Sequence, residues 1–194
     1  MSLGKKIILA SNSPRRKSIL KDAGYTFEVR IKTVSEEYPS SILPEKVGEY
    51  LAQKKASAYL SELFPDEILL TADTTVLIDD TLLEKPRHRT EAYQMLRRLS
   101  GRTHLVITGV CLATVQGLEV FSDTTEVTFR EMSDEEIYHY IDTYQPYDKA
   151  GAYGAQEGIG LTCITHLKGS YFNVMGLPIH LVYERLKKLA VFPS

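Results

Sequence analysis

The sequence predicts an α/β fold, and three observations carry the prediction. Strand-like and helix-like segments alternate along the 194 residues, the pattern of a sheet layered with helices. The first apolar run, "KKIILA", passes through Ser13-Pro14 into a helix-like run that stops at Gly24. The run Ile68 to Leu70 shows no polar alternation, as expected of a strand covered on both faces. Hydrophobic residues make up 43% and charged residues 25%, with a net charge of −2. That balance suits one soluble domain over 1–194 and gives no basic excess for bulk binding to nucleic acid or an acidic membrane.

A strand is expected over 5–10, then a helix from Pro14 to Ala23. Ser13 is a preferred N-cap residue, Pro14 suits the first helical position, and Gly24 suits the stop. "YTFEVRI" reads as a second strand and "EEYPSSILPEK" as a loop. The longest helix is expected from Pro44 to Leu63, with Val47, Leu51, Lys55, Tyr59 and Leu63 in one row at i+4 spacing. The apolar run then leads straight into Asp73. Asp79 and Asp80 make a turn, and "TLLEKP" a returning strand. A helix over Thr90 to Leu99 turns Ala92, Met95, Leu96 and Leu99 to one side. "HLVITGVCLATV" and "LEVFSDTTEVTF" read as antiparallel strands around Gln116-Gly117. Ser133 and Glu136 form a capping-box pattern for the next helix. "DKAGAYGAQEGIG" reads as a Gly-rich loop. Ile179, Val182, Leu186 and Leu189 give the last helix its core-facing stripe.

Several residues admit both a chemical and a plain structural reading. Arg15 and Arg16 fall in a first helical turn, where the macrodipole disfavours cations by about 0.3–1 kcal/mol each. Either they point into water, or an anion fills the helix start beside them. Lys55 interrupts an apolar row, so it either snorkels to the surface or points into a cleft. Asp73, at the end of a buried strand, either holds a partner or a metal, or caps a turn through Thr74 or Thr75. Glu36 and Glu37 read as solvated charges unless their loop folds back towards Asp73. Lys85 is held extended by Pro86 and is either a surface lysine or a phosphate ligand. Gln156 offers a donor and an acceptor suited to a nucleobase edge, or lies in a simple connection. Cys111 and Cys163 read as reduced core thiols, and His104 and His166 as structural. No nucleophile elbow, CxxC or membrane-length segment is present, so covalent Ser or Cys catalysis, a zinc site and a membrane span are not expected. The short apolar run after Lys5 and Lys6 is too short for a signal peptide, and the chain reads as cytoplasmic.

In their order, "LASNSPRRKSIL", "TADTTV", "EKP", "LSGRTHLVITGV", "DKAGAYGAQ" and "GSYFNVMGLP" resemble the Maf family of nucleoside triphosphate pyrophosphatases, related in fold to inosine triphosphate pyrophosphatases. The resemblance runs from Ile7 to the final helix. It implies an elongated mixed sheet with helices and two lobes around a deep cleft. It also implies hydrolysis of a nucleoside triphosphate to the monophosphate and pyrophosphate, dependent on Mg²⁺ or Mn²⁺, by a homodimer. By this resemblance Ser11, Ser13, Arg15 and Arg16 bind phosphate, as do Lys55 and Lys85, which replaces the plain reading of both lysines. Asp73 matches the active-site aspartate, and Glu36, with Glu37 the alternative, matches the glutamate that joins it on the metal; Lys85 is grouped with these two as catalytic. The late loop resembles that of the subgroup preferring dTTP and UTP, whose specificity set matches Arg16, Thr74 and Gln156. Glu84, Glu157 and Thr75 depart from the family pattern, where glycine, glycine and valine are usual. Two other classes remain: a nucleotide-binding regulator of septum formation with little turnover, and a nucleic-acid binder using "SPRR". The neutral charge balance and the single copy of that motif oppose the second.

Overall fold

The computed structural model describes residues 5–193; the ends of the expected single domain, residues 1–4 and 194, lie outside the described residues. Seven strands form one mixed sheet: β1 (Lys6–Leu9), β2 (Phe27–Val29), β3 (Glu67–Ile78), β4 (Thr81–Leu83), β5 (Thr103–Thr114), β6 (Gly117–Phe129) and β7 (Ile164–Lys168). Their order is β2-β1-β3-β5-β6-β7, with β4 paired to β3. The helices are α1 (Pro14–Asp22), α2 (Val47–Ser57), α3 (Arg89–Leu99), α4 (Asp134–Tyr144), α5 (Gly158–Cys163), α6 (Tyr171–Val174) and α7 (Ile179–Lys188). The α/β class is therefore as the sequence predicts. Among the described residues no helix is long and apolar enough to cross a membrane.

The chain divides into two compact units, each drawn from separated segments. The first holds residues up to 73, 108–123 and those from 176 on. In it β1 pairs in parallel with β2 and with β3, Leu9 standing opposite Leu70. Its core includes Ile8, Ala52, Ala56, Tyr59, Leu69, Cys111 and Ala113. The small alanines let α2 lie close on the strands. At Gly109 the approach is backbone to backbone: a Cβ there would sit 2.2 Å from the Glu49 nitrogen. Thr71 Oγ1 donates to the Ala52 carbonyl at 2.7 Å and fixes the helix along β3.

The second unit holds residues 74–107 and 124–175. Its core gathers Val76, Leu96, Leu99, Phe129, Ile137, Tyr140, Tyr153 and Ile159. Asp79 and Asp80 both take positive φ, 48° and 57°, and close the β3–β4 hairpin with the primed-turn geometry that matches strand twist. The Ser133–Glu136 capping box is present with both of its bonds. His104 is buried and bonded at Nε2 to the Tyr153 hydroxyl at 2.7 Å; burial lowers its pKa to about 4. Cys111 and Cys163 are free and buried.

Three expectations change. The helix expected from Pro44 to Leu63 is a 3₁₀ turn at Pro44–Lys46, α2 as far as Ser57, and a second 3₁₀ turn at Leu60–Glu62. The Tyr59 amide bonds three residues back, to Ala56, while its buried hydroxyl donates to the Arg30 carbonyl at 3.0 Å. At eleven residues α2 is no longer than α3 or α4. Asp73 lies within β3, not at its end. Pairing with β1 stops at Leu70 and pairing with β4 starts at Val76, so the strand continues through the polar stretch. The Gly-rich loop contains a 3₁₀ turn at Ala150–Ala152 and the start of α5. Between that loop and α7, β7 and α6 had no counterpart in the sequence reading.

Candidate active site

The turn after β1 builds the first part of the site. Ser13 caps α1, its hydroxyl accepting from the Arg16 amide at 3.4 Å. Ser11 is buried, and its oxygen accepts from the Ser13 amide at 3.2 Å and from Arg16 Nη1 at 3.3 Å. A hydroxyl that accepts twice keeps its proton for a third partner. Arg16 turns back from the helix start, and its Nε donates to the Gly176 carbonyl at 2.7 Å. Burial holds the Arg16 pKa below its ordinary value. Asp73 opposes that shift, Arg15 adds to it, and Glu36 opposes it more weakly. The cation at the positive end of α1 is thus offset by a carbonyl, a hydroxyl and two carboxylates. Arg15 is half-buried.

The second part is assembled by the loop after β2. Four tethers hold it to α2, to the segment just after α2 and to the start of β3. Arg30 forks onto Glu67 at 3.1 and 2.7 Å. Tyr59 holds the Arg30 carbonyl. Lys32 Nζ donates to the Ala58 carbonyl and to Glu62. Lys54 Nζ donates to the Glu37 carbonyl at 2.6 Å. With Glu37 tied by its backbone, the Glu36 carboxylate meets Lys55. Lys55 Nζ lies 2.9 Å from Glu36 Oε1 and 2.5 Å from Asp73 Oδ1. The side chains of Lys55 and Asp73 are 19% and 13% exposed, that of Glu36 45%. Lys55 does not snorkel: its ammonium faces two carboxylates, with the neighbouring Ala52 and Ala56 packed on the strands beside it.

The remaining sequence-picked residues belong to the second unit. Thr74 follows Asp73 in β3 and is half-buried. Lys85 is exposed in the irregular segment after β4, and Gln156 is exposed in the turn before α5. Sequence reasoning missed the Gly176 carbonyl as the acceptor for Arg16. It also missed Lys149, a lysine only 9% exposed that pairs with Asp148 at 2.8 Å and Glu157 at 3.0 Å. The adjacent "DK" in an otherwise Gly-rich segment was the available signal.

The family described as Maf-like protein matches residues 6–189, across both units. A protein of Phocaeicola vulgatus named dTTP/UTP pyrophosphatase is 52% identical over 185 residues, covering 95% of this chain and 96% of that one. One of Flavobacterium johnsoniae with the same name is 48% identical over 184 residues, covering 95% of each. A solved structure from Mycobacterium abscessus, titled nucleoside-triphosphatase / dITP/XTP pyrophosphatase, is 13% identical with a TM-score of 0.44, covering 95% of this chain and 97% of that one. A match of this length, on a chain whose Ser-x-Ser-Pro-Arg-Arg turn and Asp73 strand are built as described, places the chain in the Maf-like protein family.

Proposed function

We propose that the protein hydrolyses dTTP and UTP to the nucleoside monophosphate and pyrophosphate. The observation that carries this reading is the Glu36–Lys55–Asp73 triad beside Arg16, in a chain about half identical to proteins named dTTP/UTP pyrophosphatase. In this reading Ser11, Ser13, Arg15, Arg16, Lys55 and Lys85 bind the triphosphate. Ser11 donates the proton its two incoming bonds leave to it. Thr74 and Gln156, with Arg16, select the base. The Gln156 amide donates to one carbonyl of uracil or thymine and accepts from N3–H, a complementarity that cytosine reverses.

The donor set fits a divalent cation. Two carboxylates already share one positive charge, and Mg²⁺ or Mn²⁺ take one or two protein carboxylates with phosphate and water completing the shell. Among the described residues no group of three or more His, Cys, Asp and Glu side chains forms a cage made by protein alone. Glu36 and Asp73 would hold the ion, which when bound neutralises phosphate charge as a Lewis acid. A carboxylate oxygen of Asp73 accepts the proton of the water that attacks the α-phosphorus. Lys55 holds Asp73 and Glu36 in register. Arg15, Arg16 and Lys85 stabilise the charge that passes to the leaving pyrophosphate. We further propose a cytoplasmic enzyme, a single domain over 1–194 and a homodimer. Neither a nucleic acid nor a membrane is among its partners.

A panel of nucleoside triphosphates, assayed separately for pyrophosphate and phosphate with and without Mg²⁺ or Mn²⁺, tests the reading. One pyrophosphate and one monophosphate per turnover, with dTTP and UTP ahead of CTP, ATP and GTP, is expected. Release of the diphosphate and phosphate, or a purine preference, would overturn it. Gln156→Ala should lower kcat/KM for UTP by roughly ten- to a hundredfold and narrow the gap to CTP.

A further inference from the structure

Gln156 is exposed, yet the turn that presents it is anchored from beneath. The turn runs from Gly154 to Glu157, the Glu157 amide donating back to the Gly154 carbonyl at 3.4 Å. Both of its ends meet one side chain of α4. The Tyr140 hydroxyl accepts from the Gly154 amide at 3.2 Å and donates to Glu157 Oε1 at 3.3 Å. Tyr140 is buried, and its pKa is raised, first by that burial, so the phenol keeps the proton it donates. The same Glu157 oxygen takes the Lys149 ammonium at 3.0 Å, and Lys149 is itself nearly buried.

The glycines of the segment serve this anchor. A Cβ on Gly154 would lie 2.7 Å from Glu157 Oε1, and one on Gly158, where φ is +40°, would lie 2.4 Å from the Tyr140 ring. Their absence lets the carboxylate fold back over the turn and the ring lie against it. Glu157 thus sets a charged strut directly after Gln156, held by Tyr140 on one side and Lys149 on the other.

We propose that Glu157, with Tyr140 and Lys149, is a positioning residue for base selection: the three fix the Gly154–Glu157 turn so that Gln156 holds its amide in register with a pyrimidine edge. This rests on the reading of Gln156 given above. The free turn would have many states to lose on binding, and a strut removes that cost before the nucleotide arrives.

The test is kcat/KM for UTP and CTP, with thermal unfolding as a control, in Glu157→Ala, Glu157→Gln, Tyr140→Phe and Gln156→Ala, and in the double variant Gln156→Ala/Glu157→Ala. Glu157→Ala and Tyr140→Phe should shrink the UTP:CTP ratio roughly three- to tenfold, less than Gln156→Ala, because the amide is misplaced and not removed. Glu157→Gln keeps an oxygen for both partners and should stay within about twofold of the parent ratio. In the Gln156→Ala background, Glu157→Ala should change the ratio no further. An equal loss on both nucleotides, or an unchanged ratio while Gln156→Ala alone lowers it, overturns the positioning role and spares the reading of Gln156. An unchanged ratio in Gln156→Ala overturns both.

Discussion

Replacing Lys55 by methionine keeps the stem that packs on α2's neighbours and removes the charge that Asp73 and Glu36 share. The cost follows from the three exposures. Lys55 and Asp73 are both under one-fifth exposed and 2.5 Å apart, so their charge-assisted bond contributes about 1.5–3 kcal/mol. Glu36 is nearly half exposed, and its contact is discounted to under about 1 kcal/mol. Lys55→Met should therefore destabilise the protein by about 2–3 kcal/mol, a fall in Tm of roughly 4–12 °C for a chain of this size. Asp73→Asn in the same background removes the carboxylate that lost its cation. The double variant should then be at least about 1.5 kcal/mol more stable than the two single losses predict. Urea unfolding of all four proteins, at fixed ionic strength with EDTA and no nucleotide, gives the coupling directly. A coupling below about 0.5 kcal/mol would mean that water solvates the Lys55 ammonium, and the argument from its burial would fail.

Asp73→Asn alone, at saturating metal, should lose roughly 10²–10⁴ in kcat with the fold retained, the range typical of a general base; near-parental turnover would remove it from the proton transfer. Glu36→Gln should lower metal-dependent activity strongly and Glu37→Gln little, since Glu37 is held by its backbone carbonyl; equal losses would refute the distinction. His104 has a folded pKa of about 4 and an ordinary unfolded value of 6.5, so the unfolded chain takes up the proton first as pH falls. Its contribution is present above about pH 6.5 and is lost towards pH 4, about 3 kcal/mol in all, and His104→Phe should flatten the stability profile across that window. Gly109→Ala should cost more than the usual 1–3 kcal/mol of an overpacked core, since its Cβ meets helix backbone at 2.2 Å; an unchanged urea midpoint would show that α2 can retreat freely.

Local chemistry made parts of this structure legible. Ser13-Pro14, the Ser133–Glu136 box and Asp79-Asp80 act over three or four residues, and each formed where the sequence places it. Asp73 and Lys55 stood out for the same reason, as charges interrupting apolar runs. What stayed hidden depends on distant or backbone partners. The end of α2 involves a tyrosine hydroxyl that reaches a carbonyl 29 residues away. The choice of Glu36 over Glu37 as the side chain that meets Lys55 follows from Lys54 taking a main-chain oxygen, which no side-chain pattern announces. The apolar run Ile68 to Leu70 gives way to a stretch with three threonines and Asp73, so Asp73 reads as the end of the strand. Here threonine hydroxyls find carbonyls, Thr71 that of Ala52 and Thr75 that of Ile107, and the strand continues.

The bond from Arg16 to the Gly176 carbonyl spans 160 residues, and it sets a clock for synthesis. At roughly 5–20 residues per second, the ribosome makes Arg16 some ten to thirty seconds before it makes Gly176. During that interval the first helical turn carries an arginine whose main-chain acceptor does not yet exist. A nascent chain stalled before residue 176 can form the local cap at Ser13, but not the guanidinium orientation that the finished protein shows. The turn that follows β1 is therefore completed only once residue 176 has been made.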